Sequence, residues 1–234
     1  ASTDIEHPAI DALFTIDEET GMTGAKELKG GLLDGTILLN LDTEDDDELT
    51  IGCAGGIDVT AEGSYPEEAI PPGYAGFKIS LAGLTGGHSG VDIHLGRANA
   101  NKLMNRLLWQ LAGKYGIYIS AVSGGSLRNA IPRESVAIIA VAESTMNAVK
   151  NEIILFEQIV KAEYLATDAG LTVSVVTEAV NNKYANQELS YKMIRSIYAC
   201  PNGIYRMTPG IEGLVQTSNN VAKVSIANGK IMVQ

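Results

Sequence analysis

The sequence predicts an α/β chain in two regions. Residues 1–72 read as part of a parallel α/β layer. Residues 73–234 read as an α+β layer, with helices on one face of a mostly antiparallel sheet. Three observations carry this. The first region holds short apolar runs bounded by turn residues, the pattern of strands buried on both faces. The second alternates apolar and polar residues, then carries apolar stripes at helix spacing. Between them, Tyr65-Pro66-Glu67-Glu68-Ala69-Ile70-Pro71-Pro72-Gly73 contains three of the seven prolines, which restrict their own backbone and the residue before them.

In the first region, Ala12-Leu13-Phe14-Thr15-Ile16 and Thr36-Ile37-Leu38-Leu39-Asn40-Leu41 are the expected strands. Thr23 to Leu28 is a short helix closed by Gly30-Gly31, which completes a βαβ unit. Leu49-Thr50-Ile51-Gly52-Cys53 is a third candidate strand. After the prolines, Phe77-Lys78-Ile79-Ser80-Leu81 alternates like a half-buried strand. Arg97 to Lys114 is a helix with Leu103, Leu107, Leu108 and Leu111 on one stripe. Ile117–Val122 and Val136–Val141 are strands. Ser144 is the expected N-cap of a second helix running to about Thr167, with Met146, Val149, Ile153, Phe156, Val160 and Tyr164 spaced by three and four. Leu171–Thr177 is a strand and Gln187–Ala199 a helix. Gly203–Arg206, Ala222–Ser225 and Lys230–Val233 complete the sheet.

Composition narrows the function. The 234 residues are 45% hydrophobic with a net charge of −11, enough for an ordinary core and unlike a disordered tail. No charge-free apolar run of about 18 residues occurs, so no membrane span is expected. No basic segment leading into an apolar run opens the chain, and the two cysteines make no disulfide framework; a cytoplasmic protein is expected. Residues 1–70 carry 18 acidic and two basic side chains, a balance of −16, whereas residues 71–234 balance at +5. An acidic field of that size repels a phosphate backbone, so nucleic acid is not the expected partner. It suits a region that concentrates metal cations or a merely soluble surface, and the mildly basic part suits an anionic group.

Four motifs carry candidate chemistry. Asp17-Glu18-Glu19 follows the first apolar run, and Asp42 follows the second. Carboxylates at neighbouring strand ends offer hard oxygen ligands for a metal and a base beside it. They read equally as helix caps and solvated turns. The run Asp45-Asp46-Asp47-Glu48 reads as a solvated turn. Gly86-Gly87-His88-Ser89-Gly90 sets one imidazole in a side-chain-poor loop, suited to meet a ligand or a developing oxyanion. Neither His7 nor His94 forms a zinc-type pair with it. Gly124-Gly125-Ser126-Leu127-Arg128-Asn129-Ala130-Ile131-Pro132-Arg133 gathers an amide and two guanidinium groups, donors that match a carboxylate or sit as ordinary surface charges. Cys53 reads as a small buried residue.

Taken together, FTIDEETGMTGA, ILLNLDTEDDDELTIGCAGGID, GLTGGHSGVDIHLGRANANKL, GGSLRNAIPRE and CPNGIYRM resemble the aminoacyl-histidine dipeptidases. These belong to the clan of co-catalytic zinc metallopeptidases with aminoacylase and carboxypeptidase G relatives. The resemblance implies part of a zinc-peptidase α/β catalytic domain over residues 1–72. It also implies an inserted α+β lid and dimerisation domain over 73–234, incomplete at its C-terminus. It implies Glu18 as general base, Glu19 and Asp42 as ligands of two zinc ions (manganese or cobalt being alternatives), and His88 as the group that steadies the oxyanion. Asn129 and Arg133 are the implied grip on a carboxylate. A small dipeptide ending in histidine is the implied substrate, and a homodimer through the lid the implied assembly. The family's upstream His-x-Asp pair, bridging aspartate and late histidine have no counterpart here. An internal fragment, inactive by itself, is therefore expected. Another clan member, an aminoacylase or a broad dipeptidase, is one alternative, and a non-catalytic lid module the other.

Overall fold

The computed structural model describes residues 4–18, 21–41, 47, 52–179 and 183–234. It divides into two compact units, residues 1–53 and 54–234.

In the first unit the one regular element among the described residues is helix α1 (Thr23–Lys26). The runs Ala12–Ile16 and Thr36–Leu41 are not strands, and Phe14 is 92% and Leu41 90% exposed. The βαβ expectation therefore fails at the strands. A parallel strand needs hydrogen-bonded neighbours and covered faces, and the described residues of this unit supply neither. The third candidate strand lies outside the described residues except for Gly52 and Cys53, and Cys53 is exposed rather than buried. Asp17 takes a left-handed conformation (φ 59°), which Asp tolerates better than most residues, and its carbonyl accepts from the Gly21 and Met22 N–H groups. The Gly24 N–H donates to the Ile16 carbonyl, and a Cβ at Gly24 would stand 2.6 Å from the Ile16 nitrogen. Only glycine lets α1 approach the turn so closely.

The second unit is built on a seven-stranded sheet in the order β1-β11-β10-β4-β6-β2-β7. Its strands are β1 (Ala61–Ser64), β2 (Tyr74–Ala82), β4 (Tyr118–Gly124), β6 (Ser135–Ala142), β7 (Thr172–Glu178), β10 (Val224–Ala227) and β11 (Lys230–Val233). All pairings are antiparallel. Two two-stranded ribbons stand apart: β3 (Gly87–His88) with β5 (Ala130–Ile131), and β8 (Gly203–Met207) with β9 (Val215–Asn219). One sheet face presents Phe77, Ile79, Leu81, Ile119, Ala137, Ile139, Val224 and Ile226, all buried, to the helices. Lys78, Ser80, Val136 and Ile138 alternate onto the other, more open face. Burial of each large side chain contributes about 1.5–3 kcal/mol.

Helix α2 (Ala100–Tyr115) buries Leu103, Met104, Leu107, Leu108 and Leu111 against this face. Helix α3 (Met146–Glu163) does the same with Val149, Ile153, Phe156 and Val160. Ser144 is not its cap. A 3-10 turn over Glu143–Thr145 carries the chain out of β6, with Ser144 inside it, and the Thr145 hydroxyl donates back to the Ala142 carbonyl. Helix α4 (Gln187–Ala199) starts on Asn186, whose side chain accepts from the Leu189 N–H. The Lys102 ammonium ties α2 to the end of α4 by donating to the carbonyls of Ile197, Tyr198 and Cys200, where the helix is partially negative. Strand β1 was not anticipated: Ala-Glu-Gly-Ser has no apolar alternation, and it pairs with β11 from the far end of the sequence.

Candidate functional site

The β3–β5 ribbon joins two of the sequence motifs. Gly87 pairs with Ile131 and His88 with Ala130, and the Ser89 N–H donates to the Asn129 carbonyl. Arg133 lies over Gly86, where a Cβ would meet its side chain at 2.5 Å. Gly86 of the histidine loop is thus a fit for the arginine loop, not slack. His88, Asn129 and Arg133 are all exposed on this ribbon. Arg128 pairs with Asp58, whereas Arg133 has no ion-pair partner among the described residues. Its paired N–H donors match a carboxylate.

The His88 ring is held by its own loop. Its Nδ1 accepts from the N–H groups of Gly90 (3.1 Å) and Val91 (3.2 Å). A neutral imidazole that accepts at Nδ1 carries its proton on Nε2. The loop therefore fixes the tautomer and leaves Nε2–H as the free donor, the group an oxyanion requires. The backbone is held as well: the His88 N–H donates to Asp92 Oδ2 (2.8 Å), the same carboxylate lies 3.4 Å from Arg97, and Arg97 donates to the Gly86 carbonyl. A Cβ on Gly87 would strike both Asp92 and Arg97.

Behind the ribbon lies a polar cluster that sequence reasoning missed. Asn99 caps α2 by accepting from the Lys102 N–H, and its amide donates to Asn202 Oδ1, Asn220 Oδ1 and the Val221 carbonyl. Asn220 in turn donates to the Ala130 carbonyl on β5, opposite His88. Asn202 belongs to the CPNGIYRM segment, yet nothing local in the sequence announces a three-asparagine contact. Burial first and Glu163 second raise the Tyr164 phenol above its usual range.

Glu18 lies exposed in the turn of the first unit. Glu19 and Asp42 lie outside the described residues. Among the described residues no three His, Cys, Asp or Glu side chains come together as a metal site. No helix among them is long and apolar enough to cross a membrane.

Comparison with known proteins places this arrangement. Residues 79–168 match the family described as the peptidase dimerisation domain. Over all 234 residues the chain is 38% identical to the cytosol non-specific dipeptidase of Escherichia coli K12, spanning 48% of that protein. The crystal structure of aminoacylhistidine dipeptidase from Vibrio alginolyticus superposes with a TM-score of 0.81 at 39% identity, over 94% of this chain and 45% of that one. The chain is similar to these dipeptidases in sequence and fold over nearly all of its own length. It spans about half the length of the relatives it matches. The expected mixed fold, with an α+β dimerisation domain and a mainly antiparallel sheet, stands.

Proposed function

We propose that this chain is part of a longer zinc-dependent dipeptidase, with residues 1–53 in its catalytic domain and residues 54–234 forming its lid; the boundary expected at residue 72 moves forward because β1 belongs to the lid's sheet. The observation that carries the reading is the β3–β5 pairing, which sets His88 beside Asn129 and Arg133. In this reading Arg133 and Asn129 hold the free carboxylate of the substrate. His88 donates from Nε2 to the oxygen of the scissile carbonyl as it becomes negative. Glu18 takes the proton of the attacking water and delivers it to the leaving amine. Glu19 and Asp42 serve as ligands for zinc, with manganese or cobalt as alternatives; the bound ions would supply a more acidic water and a polarised carbonyl. Similarity to two dipeptidases supports the reaction class. In this reading the protein works in the cytoplasm, supported by the name of the Escherichia coli relative, as a homodimer paired through the lid, supported by the dimerisation-domain match.

Two substrate readings follow from the relatives. The name of the Vibrio protein favours dipeptides ending in histidine, and that of the Escherichia coli protein favours broad choice. Hydrolysis of a panel of unblocked dipeptides by the whole protein separates them: a preference confined to C-terminal histidine supports the first, similar rates across the panel the second. Removal of metal by a chelator should abolish activity and zinc should restore it. Full activity after chelation would sink the metallopeptidase reading.

A further inference from the structure

The loop that carries His88 leaves the core at Thr85 and returns to it at Ala98, and one side chain holds both ends. Asp168 Oδ1 accepts from the Thr85 N–H (2.8 Å), and Oδ2 accepts from the Ala98 N–H (2.9 Å) and the Thr167 hydroxyl (2.8 Å). The Thr85 hydroxyl adds a bond to the Thr167 carbonyl (2.6 Å). Asp168 is 1% exposed, and no Lys or Arg pairs with it among the described residues. Burying a carboxylate without a cation is costly unless hydrogen bonds replace its water. Here three donors do so, two of them the backbone ends of one loop. An apolar side chain would fill the space, and an amide would satisfy one end only, since its NH2 would face the other N–H. The choice of a two-oxygen acceptor is explained by the need to fix two backbone points at once.

We propose that Asp168 is a positioning residue for the reaction. By clamping Thr85 and Ala98 it sets the height and tilt of the loop from which the His88 Nε2–H is presented. The proposal rests on the reading that His88 meets the oxyanion. It goes beyond that reading in assigning a buried residue, distant in sequence and out of contact with substrate, to the donor's placement. The clamp acts from the outer ends of the loop, while Asp92 and Arg97 fix its interior.

The test is a double-mutant cycle in the whole zinc-loaded protein, reading kcat and KM for an unblocked dipeptide. Misplacement of a catalytic group by a fraction of an ångström to one ångström lowers turnover roughly 10- to 100-fold, so Asp168→Asn should lower kcat by that amount. KM should change less than kcat, because Asn129 and Arg133 are themselves unaltered. In a His88→Ala background the same substitution should cost less than about twofold more, because the group it positions is gone. An undiminished loss in that background, or an unchanged kcat in Asp168→Asn, would overturn the proposal. If His88→Ala alone leaves kcat unchanged, the reading of His88 falls and the proposal with it; a crippled His88→Ala beside a fully active Asp168→Asn removes the clamp alone. Should Asp168→Asn fail to fold, Thr167→Val removes one of the three bonds. It should give a several-fold loss of kcat that disappears in the His88→Ala background, and persistence of that loss would count against the clamp.

Discussion

Asn99 offers the sharpest test of how the fold supports the ribbon. Its side chain is 4% exposed; it caps α2 through Oδ1 and supplies donors to Asn202, Asn220 and the Val221 carbonyl. Asn99→Ala removes the cap, worth about 1 kcal/mol, and takes the amide donor from the part-buried Asn220 Oδ1, at about 1 kcal/mol, while Asn202 Oδ1 keeps the Val221 N–H and the Val221 carbonyl keeps the Asn101 amide. The expected total is about 2 kcal/mol. Asn99→Ser keeps a capping oxygen and loses the amide donors, so it should be milder by the cap term of about 1 kcal/mol. Urea unfolding of the chain, followed by helical circular dichroism, reads both values. Losses below about 0.5 kcal/mol in both variants, the range of an ordinary surface change, would refute the account of the asparagine cluster.

Other outcomes follow from the same geometry. Two hydrogen bonds from Arg106 (2.6 and 2.8 Å) hold the Glu163 carboxyl below the usual glutamate range. A depressed folded value stabilises above the ordinary pKa of about 4.3 and is lost as pH falls through the folded value. Glu163→Gln should therefore cost at most about 1 kcal/mol at pH 7, because the pair is exposed, and nothing in strong acid; thermal melts at the two pH values check this. At Gly125 (φ +74°) an added Cβ would run into the Ala222 carbonyl, so Gly125→Ala should destabilise by about 2 kcal/mol or more, read by the same melts. In the whole protein, Glu18→Ala should retain metal and lose turnover, whereas Glu19→Ala or Asp42→Ala should lose metal; metal analysis beside kinetics separates the roles.

The second unit was largely legible because its signals are local. The alternation in Phe77–Leu81 and the stripe through Leu103, Leu107 and Leu111 need only their own neighbours to declare strand and helix, and α4 and β11 matched residue for residue. Apart from β9, which pairs with the nearby β8 in a ribbon outside the main sheet, the elements that were missed are made by distant partners. Strand β1 exists because β11 lies beside it, and β3 and β5 are two residues each, too short for any period. In the first unit the apolar runs carry the strand pattern but, among the described residues, lack the neighbours a parallel strand requires. The same divide holds in the site. The glycines around His88 and the arginines after Gly125 drew attention to both loops. Their pairing, the Asn99 cluster and the Asp168 clamp rest on contacts between residues dozens to more than a hundred positions apart, which no local pattern encodes.

The measurement that bears most directly on the proposed activity compares hydrolysis by the whole protein of one dipeptide with a free C-terminus and the same dipeptide amidated, in wild type and Arg133→Ala. The account predicts that wild type cleaves the free dipeptide and strongly disfavours the amide, and that Arg133→Ala raises KM for the free dipeptide about tenfold or more, as loss of a charge-assisted hydrogen bond implies, with little change for the amide. Equal cleavage of both substrates, or a KM unmoved by Arg133→Ala, would contradict it.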